Sequence, residues 1–202
     1  MSKREYIQAN RDRLKAKSKD EGVKAIPKGI LKEISATASV SQKKRTFEMI
    51  RIVTYEPQYK QDFIRLNKQW IETWFRLEQS DLDTFAHIDD SIIGRGGQIF
   101  LAINENGQVV GCCALKPHPE SDCFELAKMA VSPEAQGKGI GRQLGEALLD
   151  YARSHGVKRI FLEGNTRLKA SIALYRKLGF KEIPLKGNAY ERCDILMEIF
   201  VK

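Results

Sequence analysis

The chain has 202 residues, 42% of them hydrophobic, with 34 Lys+Arg against 26 Asp+Glu and a net charge of +8. Residues 1–50 hold 13 Lys+Arg and 6 Asp+Glu, while residues 51–202 hold 21 and 20, so the basicity belongs to the first quarter of the chain. No apolar run reaches the roughly 18 residues of a membrane span, the N-terminus has positive charge without a secretory apolar segment, and basicity confined to an extension is not a nucleic-acid footprint on a folded face.

In chain order, residues 1–21 read as a polar helix that Gly22 stops, and Pro27–Lys28–Gly29 is a turn signal. Residues 34–46, mostly small, polar and basic, read as a linker. The organisation predicted is an extension over 1–46 and one domain over 47–202, the usual size for a single core. Met49–Thr54 is the first strand, and Pro57 opens a helix carrying Phe63, Leu66, Trp70, Ile71, Trp74 and Phe75. Residues 79–97 are acidic and then glycine-rich, with a short helix around Ile92. Gln98–Ile103 and Gln108–Leu115 flank Asn104–Glu105–Asn106–Gly107, the best hairpin signal in the chain.

Cys123–Val131 is an apolar strand interrupted by Glu125 and Lys128. If the strand is regular, Glu125, Ala127, Met129 and Val131 share one face and Lys128 points to the other. A helix follows from about Ile140 to His155, with apolar residues at helical period, ended by Gly156. Arg159–Leu162 is a strand, Leu168–Leu178 a helix closed by Gly179, and 192–200 the last strand. The order β-α-β-β-β-α-β-α-β gives an α/β fold, a mixed sheet flanked by helices.

The four cysteines (Cys112, Cys113, Cys123, Cys193) form no CxxC pair and suit buried thiols in a reducing cytoplasm. The three histidines (His87, His118, His155) lack ligand spacing, so no metal site is expected.

The chemistry-bearing segment runs from Met129 to Arg142. An apolar strand enters a loop with Gly137, Gly139 and Gly141, and that loop opens an amphipathic helix. Glycines let a ligand approach the backbone, and a helix N-terminus adds dipole and unsatisfied N–H donors, so this is an anion site. Lys138 and Arg142 add positive charge. The dinucleotide fingerprint fails, because the third glycine would fall on Arg142 or Leu144. The nucleoside-triphosphate loop fails too, because no hydroxyl follows Gly137–Lys138. What fits is Gln136-x-x-Gly139-x-Gly141.

In this element the sequence resembles the GNAT (GCN5-related) N-acetyltransferases, over roughly residues 50–200. A second element, Ala173–Leu174–Tyr175–Arg176–Lys177–Leu178–Gly179–Phe180, resembles the family's tyrosine-bearing helix, and Asn165–Thr166 its asparagine after the fifth strand. The resemblance implies the GNAT fold with a mostly antiparallel central sheet. It implies an acetyl-CoA-dependent N-acetyltransferase, an acyltransferase, that passes acetyl to an unidentified amine by direct attack in a ternary complex. A non-catalytic CoA-binding module is the alternative. The pyrophosphate would lie on the amides of Gly137, Lys138, Gly139, Ile140, Gly141 and Arg142, beside Gln136. The pantetheine arm would lie along Met129, Ala130 and Val131 like an added strand, and Asn165 and Tyr175 would complete the donor site. No membrane or nucleic-acid partner is implied, and a homodimer is allowed, as dimers are common among relatives.

Two residues are the catalytic candidates. Tyr175 would give a proton to the CoA sulfur, since a phenol keeps its proton at neutral pH. Glu125 would act as general base, since a glutamate in an apolar strand has reason for a raised pKa; a structural glutamate is the competing reading. Lys128 reads as solvated or salt-bridged, and His118 as a loop residue. Trp70, Trp74 and Glu78, with Asp81 and Asp83 nearby, and Tyr190 after the loop Pro184–Ala189, are candidates for the acceptor side. Core packing is the alternative for the two tryptophans. Residues 3–31 look similar to the helical lead-in of some bacterial FKBP-type prolyl isomerases, but the isomerase domain has no counterpart.

Overall fold

In the computed structural model, residues 49–118, 123–185 and 190–202 are described. The extension, its linker and the prolyl-isomerase-like segment lie outside them.

Seven strands form one sheet: β1 (Arg51–Thr54), β2 (Gln98–Ile103), β3 (Val109–Pro117), β4 (Cys123–Val131), β5 (Arg159–Gly164), β6 (Lys181–Ile183) and β7 (Ile195–Phe200). Their order is β1-β2-β3-β4-β5-β7-β6. Every pairing is antiparallel except β4 with β5. Among the described residues, four α-helices flank the sheet: α1 (Lys60–Trp74), α2 (Gln79–Ala86), α3 (Ile140–Ser154) and α4 (Lys169–Lys177).

The hairpin between β2 and β3 forms where Asn-Gly predicts it. Gly107 takes φ +76°, and Asn104 Oδ1 accepts from the N–H groups of Asn106 and Gln108 at 3.1 and 2.9 Å. Burial on both faces of the middle strands divides the core in two. Leu115, Leu126, Ile160, Leu162 and Met197 pack with α3 residues Leu144 and Leu148 on one face. Leu101, Cys112, Ala114 and Ala130 pack with Phe63, Leu66 and Ile71 of α1 on the other.

Three elements depart from the sequence reading. The acidic stretch contains α2, and Asp89–Ile93 forms a single π turn around Ile92. β6 pairs only Lys181–Ile183 with β7, too short to leave an alternating pattern. The last strand starts at Ile195, not 192, because Cys193 N–H closes a turn onto the Tyr190 carbonyl at 3.1 Å.

β4 is also irregular. Cys112 pairs with Ala130 and Ala114 with Ala127, so Lys128 and Met129 together oppose Cys113. This is a β-bulge, and Lys128 carries the extra residue at φ +52°. The bulge breaks the period of two. Glu125, Ala127 and Ala130 face α1, while Met129 and Val131 pack on the α3 side. The four residues expected on one face are therefore split, and Lys128 joins the side of Glu125.

Candidate functional site

β4 and β5 pair only from Cys123–Glu125 against Arg159–Phe161. Beyond that they diverge, and a cavity opens between them. Its wall includes Glu125, Lys128 and Met129 from β4, Glu163 from β5, Tyr175 from α4, and Tyr190 and Arg192 from the chain before β7. Parting the strands leaves the second half of β4 with an edge that β5 does not cover. Asn67, Trp70 and Phe75 close the α1 side.

The glycine loop lies at the end of that edge. Gly137 and Gly139 take φ +75° and +79°, and a Cβ on either would meet nothing within 4 Å. Both positions are thus glycines for backbone conformation with open space above them. Gly139 is the residue before α3, and Gln143 N–H bonds to its carbonyl at 3.1 Å. The N–H groups of Ile140, Gly141 and Arg142 precede that first helical bond. No acidic residue lies in the first turn of α3. Gln136 Nε2 donates to the Val131 carbonyl at 3.1 Å and ties the loop to β4. Arg142 is exposed and pairs with Glu146 at 2.7 Å. Gly141 has a packing role, since a Cβ there would lie 3.1 Å from Leu174 of α4. This open, amide-lined end of α3 has the character of an anion site.

Tyr175 is partly buried on α4, with its ring edge-on to Phe180 at 6.2 Å. Burial pushes its phenol up to about 12. Glu125 is 8% exposed. Burial pushes its carboxyl above the usual range; Lys116, 3.9 Å away, opposes this, and Glu163 adds to it. Asn165 lines the cavity, its Nδ2 donating to the Arg192 carbonyl at 2.7 Å and its Oδ1 accepting from Arg167 N–H at 2.9 Å.

The acceptor-side candidates separate. Trp70 lines the cavity and packs on Phe75 at 6.0 Å. Trp74 ends α1, is 44% exposed and lies outside the cavity wall. Glu78 and Tyr190 belong to a buried ionic cluster that the sequence reading did not assemble. Its centre is Asp81, fully buried. Asp81 accepts from Lys128 Nζ at 2.6 Å, from Arg192 Nη1 and Nη2 at 2.8 Å each, and from Glu78 N–H at 3.1 Å. Glu78 in turn accepts from Arg192 Nη1 at 2.8 Å and from Glu191 N–H at 2.9 Å. Lys128 Nζ also donates to Tyr190 Oη at 2.9 Å, and Arg192 lies 4.4 Å from the Tyr190 ring centre. Burial alone would raise the Asp81 carboxyl, but Arg192 and Lys128 outweigh it and hold it below the usual range. Burial holds the Lys128 ammonium below its ordinary value despite Asp81. Arg192 is the residue missed. Its acidic partners are 111 and 114 positions away, so no local pattern marks it.

His118 is exposed, with its ring edge-on to Phe161 at 5.2 Å. Among the described residues, no group of three or more His, Cys, Asp or Glu could hold a metal ion.

A mixed sheet that splays at its one parallel pair, beside a glycine-lined helix N-terminus, defines the acyl-CoA N-acyltransferase class of fold. The sequence profile of the Acetyltransferase (GNAT) family matches residues 62–180, and the chain belongs to that family. It is 37% identical over 110 residues to the uncharacterized N-acetyltransferase YjgM of Escherichia coli K12, covering 52% of this chain and 66% of that protein. It is 41% identical over 83 residues to the IAA acetyltransferase of Azospirillum brasilense, covering 41% of this chain and 54% of that protein. The chain thus spans less than two thirds of either curated relative's length. A GNAT-family acetyltransferase structure from Staphylococcus aureus Mu50 superimposes with a TM-score of 0.69 at 21% identity, over 76% of this chain and all of that one.

Proposed function

We propose that residues 47–202 form an acetyl-CoA-dependent N-acetyltransferase domain, with residues 1–46 as an appendage outside the catalytic unit. The observation that carries this reading is the cavity that opens where β4 and β5 part, walled by Glu125, Met129 and Tyr175. The uncovered half of β4 beside it runs on in the chain to the amide-lined end of α3, which supports a donor site along that edge.

The amides of residues 137–142 would hold the pyrophosphate, with Gln136 bracing the loop. Met129, Ala130 and Val131 would pair with the pantetheine amides by strand addition, and Asn165 would shape the far wall. The acyl group would then lie near Tyr175 and Glu125. The acceptor nitrogen must be neutral to attack, whereas a Lys-type amine has a pKa of about 10.4. Glu125, made more basic by burial, takes the ammonium proton. The C–N bond forms as the C–S bond breaks. Tyr175 donates its phenolic proton to the departing sulfur and regains one from the new amide nitrogen, so the balance is one amide, one CoA thiol and one proton released. A phenol at about 12 is a weak acid, so it gives up this proton only as charge develops on the departing sulfur and as the amide nitrogen returns one.

The four cysteines are buried thiols, which supports a reducing, cytoplasmic setting. No described helix is long and apolar enough to cross a membrane.

The test is incubation with acetyl-CoA and a panel of amines, read by mass spectrometry of the products and by release of the CoA thiol. Acetyl transfer to at least one amine is expected. Tight CoA binding without transfer to any amine would favour the non-catalytic module instead.

A further inference from the structure

Arg192 is more than a member of the ionic cluster, because its bonds account for only part of its donors. A guanidinium has five N–H groups in a planar fork. Nη1 uses both of its hydrogens, on Glu78 Oε1 and Asp81 Oδ2, and Nη2 uses one, on Asp81 Oδ1. The Nε–H and the second Nη2–H have no partner among the described residues. These two lie on adjacent nitrogens, the edge that a carboxylate fits with two parallel bonds. Lys128 is in the same condition. Its ammonium has three N–H groups, and two are spent on Asp81 and Tyr190. Both side chains line the cavity, and both are largely buried, with 16% and 4% of the side-chain surface exposed.

The cavity wall is therefore two-signed. Glu125 and Glu163 offer carboxylates, and Arg192 and Lys128 offer spare donors. Asp81 and Glu78 balance the two cations and hold them in place, so the fork is fixed before any ligand arrives. A pre-set donor pair loses little conformational entropy on binding.

We infer that Arg192 is the carboxylate-binding residue of the acceptor site, and that the acceptor is an amine that itself carries a carboxylate, of the amino-acid class. Lys128 assists with its third N–H. The ammonium of such an acceptor faces Glu125, where its proton is removed, while its carboxylate takes the open edge of Arg192. This rests on the acetyltransferase reading.

The experiment compares L-amino acids with their α-carboxamides on the full chain. Binding is measured by calorimetry with and without CoA, and turnover by CoA release from acetyl-CoA. At least one acid should exceed its amide by about tenfold or more in both, since a site with unmet donors discriminates strongly against a ligand that cannot fill them. Arg192→Lys, which keeps the charge and loses the fork, should raise the KM for the acid and erase the preference, with the KM for acetyl-CoA unchanged. Equal handling of acid and amide throughout the panel overturns the inference, as does a preference that survives in Arg192→Lys. The wild-type comparison stands even if the variant folds poorly. If no amine is acetylated, the acetyltransferase reading fails, while the binding arm still decides on the carboxylate: acid-selective binding supports it, and binding of neither member overturns it.

Discussion

The ammonium of Lys128 lies 2.6 Å from the carboxylate of Asp81, joining residues 47 positions apart in a site with almost no exposed side-chain surface. The contact depends on the bulge. A regular β4 would send Lys128 to the α3 side of the sheet, into the apolar cluster around Leu126 and Leu144. One extra residue turns it instead toward α2, where the capping carboxylate of that helix is waiting.

Asp81→Asn should therefore destabilise the domain strongly. It leaves Lys128 and Arg192 buried with their shared counter-ion gone, a loss of about 3 kcal/mol or more. The pH dependence follows from the depressed carboxyl. The contribution is fully present above the unfolded value of about 3.9 and is lost as pH falls through the lower folded value. Urea unfolding at pH 7 and at pH 3 should show the variant's deficit shrinking in acid. Adding Lys128→Met to Asp81→Asn should recover part of the loss at pH 7; a deficit that does not shrink would show the lysine's charge to be irrelevant.

Glu125→Gln should work in the opposite sense on stability while impairing turnover. The folded carboxyl is raised by burial, so ionising it costs the native state. That cost is absent below the unfolded value of about 4.3, grows as pH rises toward the folded value and is complete above it. The glutamine variant should thus gain in Tm relative to wild type at pH 8 and show no gain at pH 3. Its kcat should fall by about 100-fold if Glu125 is the base, and the acid limb of the pH–rate profile should disappear. An unaltered acid limb would assign the base elsewhere.

Much of this was legible in the sequence where glycine or helical period carries the information. The open loop at Gly137 and Gly139 follows from residues that alone tolerate its backbone, and α3 from its apolar spacing. The hairpin follows from Asn106–Gly107. What stayed hidden has a common cause. The bulge places a lysine at positive φ, which no propensity anticipates. α2 has only eight residues, and its Asp81 pairs with Lys128 and Arg192 from distant parts of the chain. Arg192 means nothing until Glu78 and Asp81 are brought beside it by the fold.

Tyr175→Phe should lower kcat by about tenfold or more, with little change in the KM for acetyl-CoA. The ring and its packing on Phe180 persist in phenylalanine, so Tm should move by little. Single-turnover measurement of CoA release separates the chemical step from product departure. An unchanged chemical rate would reduce Tyr175 to a packing residue of α4.

Two glycines, Gly139 just before α3 and Gly145 within it, should respond differently to alanine, which separates ligand cradle from helix packing. At Gly139 the φ of +79° is strained for any L side chain, yet a Cβ meets nothing within 4 Å. Gly139→Ala should therefore cost about 1 kcal/mol of backbone strain and place a methyl group in the space proposed for the pyrophosphate, raising the Kd for CoA by about tenfold. At Gly145 the backbone is ordinary helix, but a Cβ would collide with one Leu178 methyl group and lie 3.2 Å from the other. Alanine there gains about 1 kcal/mol in helix propensity and loses about 1–3 kcal/mol to overpacking against α4. Gly145→Ala should thus lower Tm and leave the Kd for CoA unchanged, as read by thermal unfolding and calorimetry on the same samples. If Gly139→Ala binds CoA as wild type does, the donor pyrophosphate lies elsewhere than on this loop.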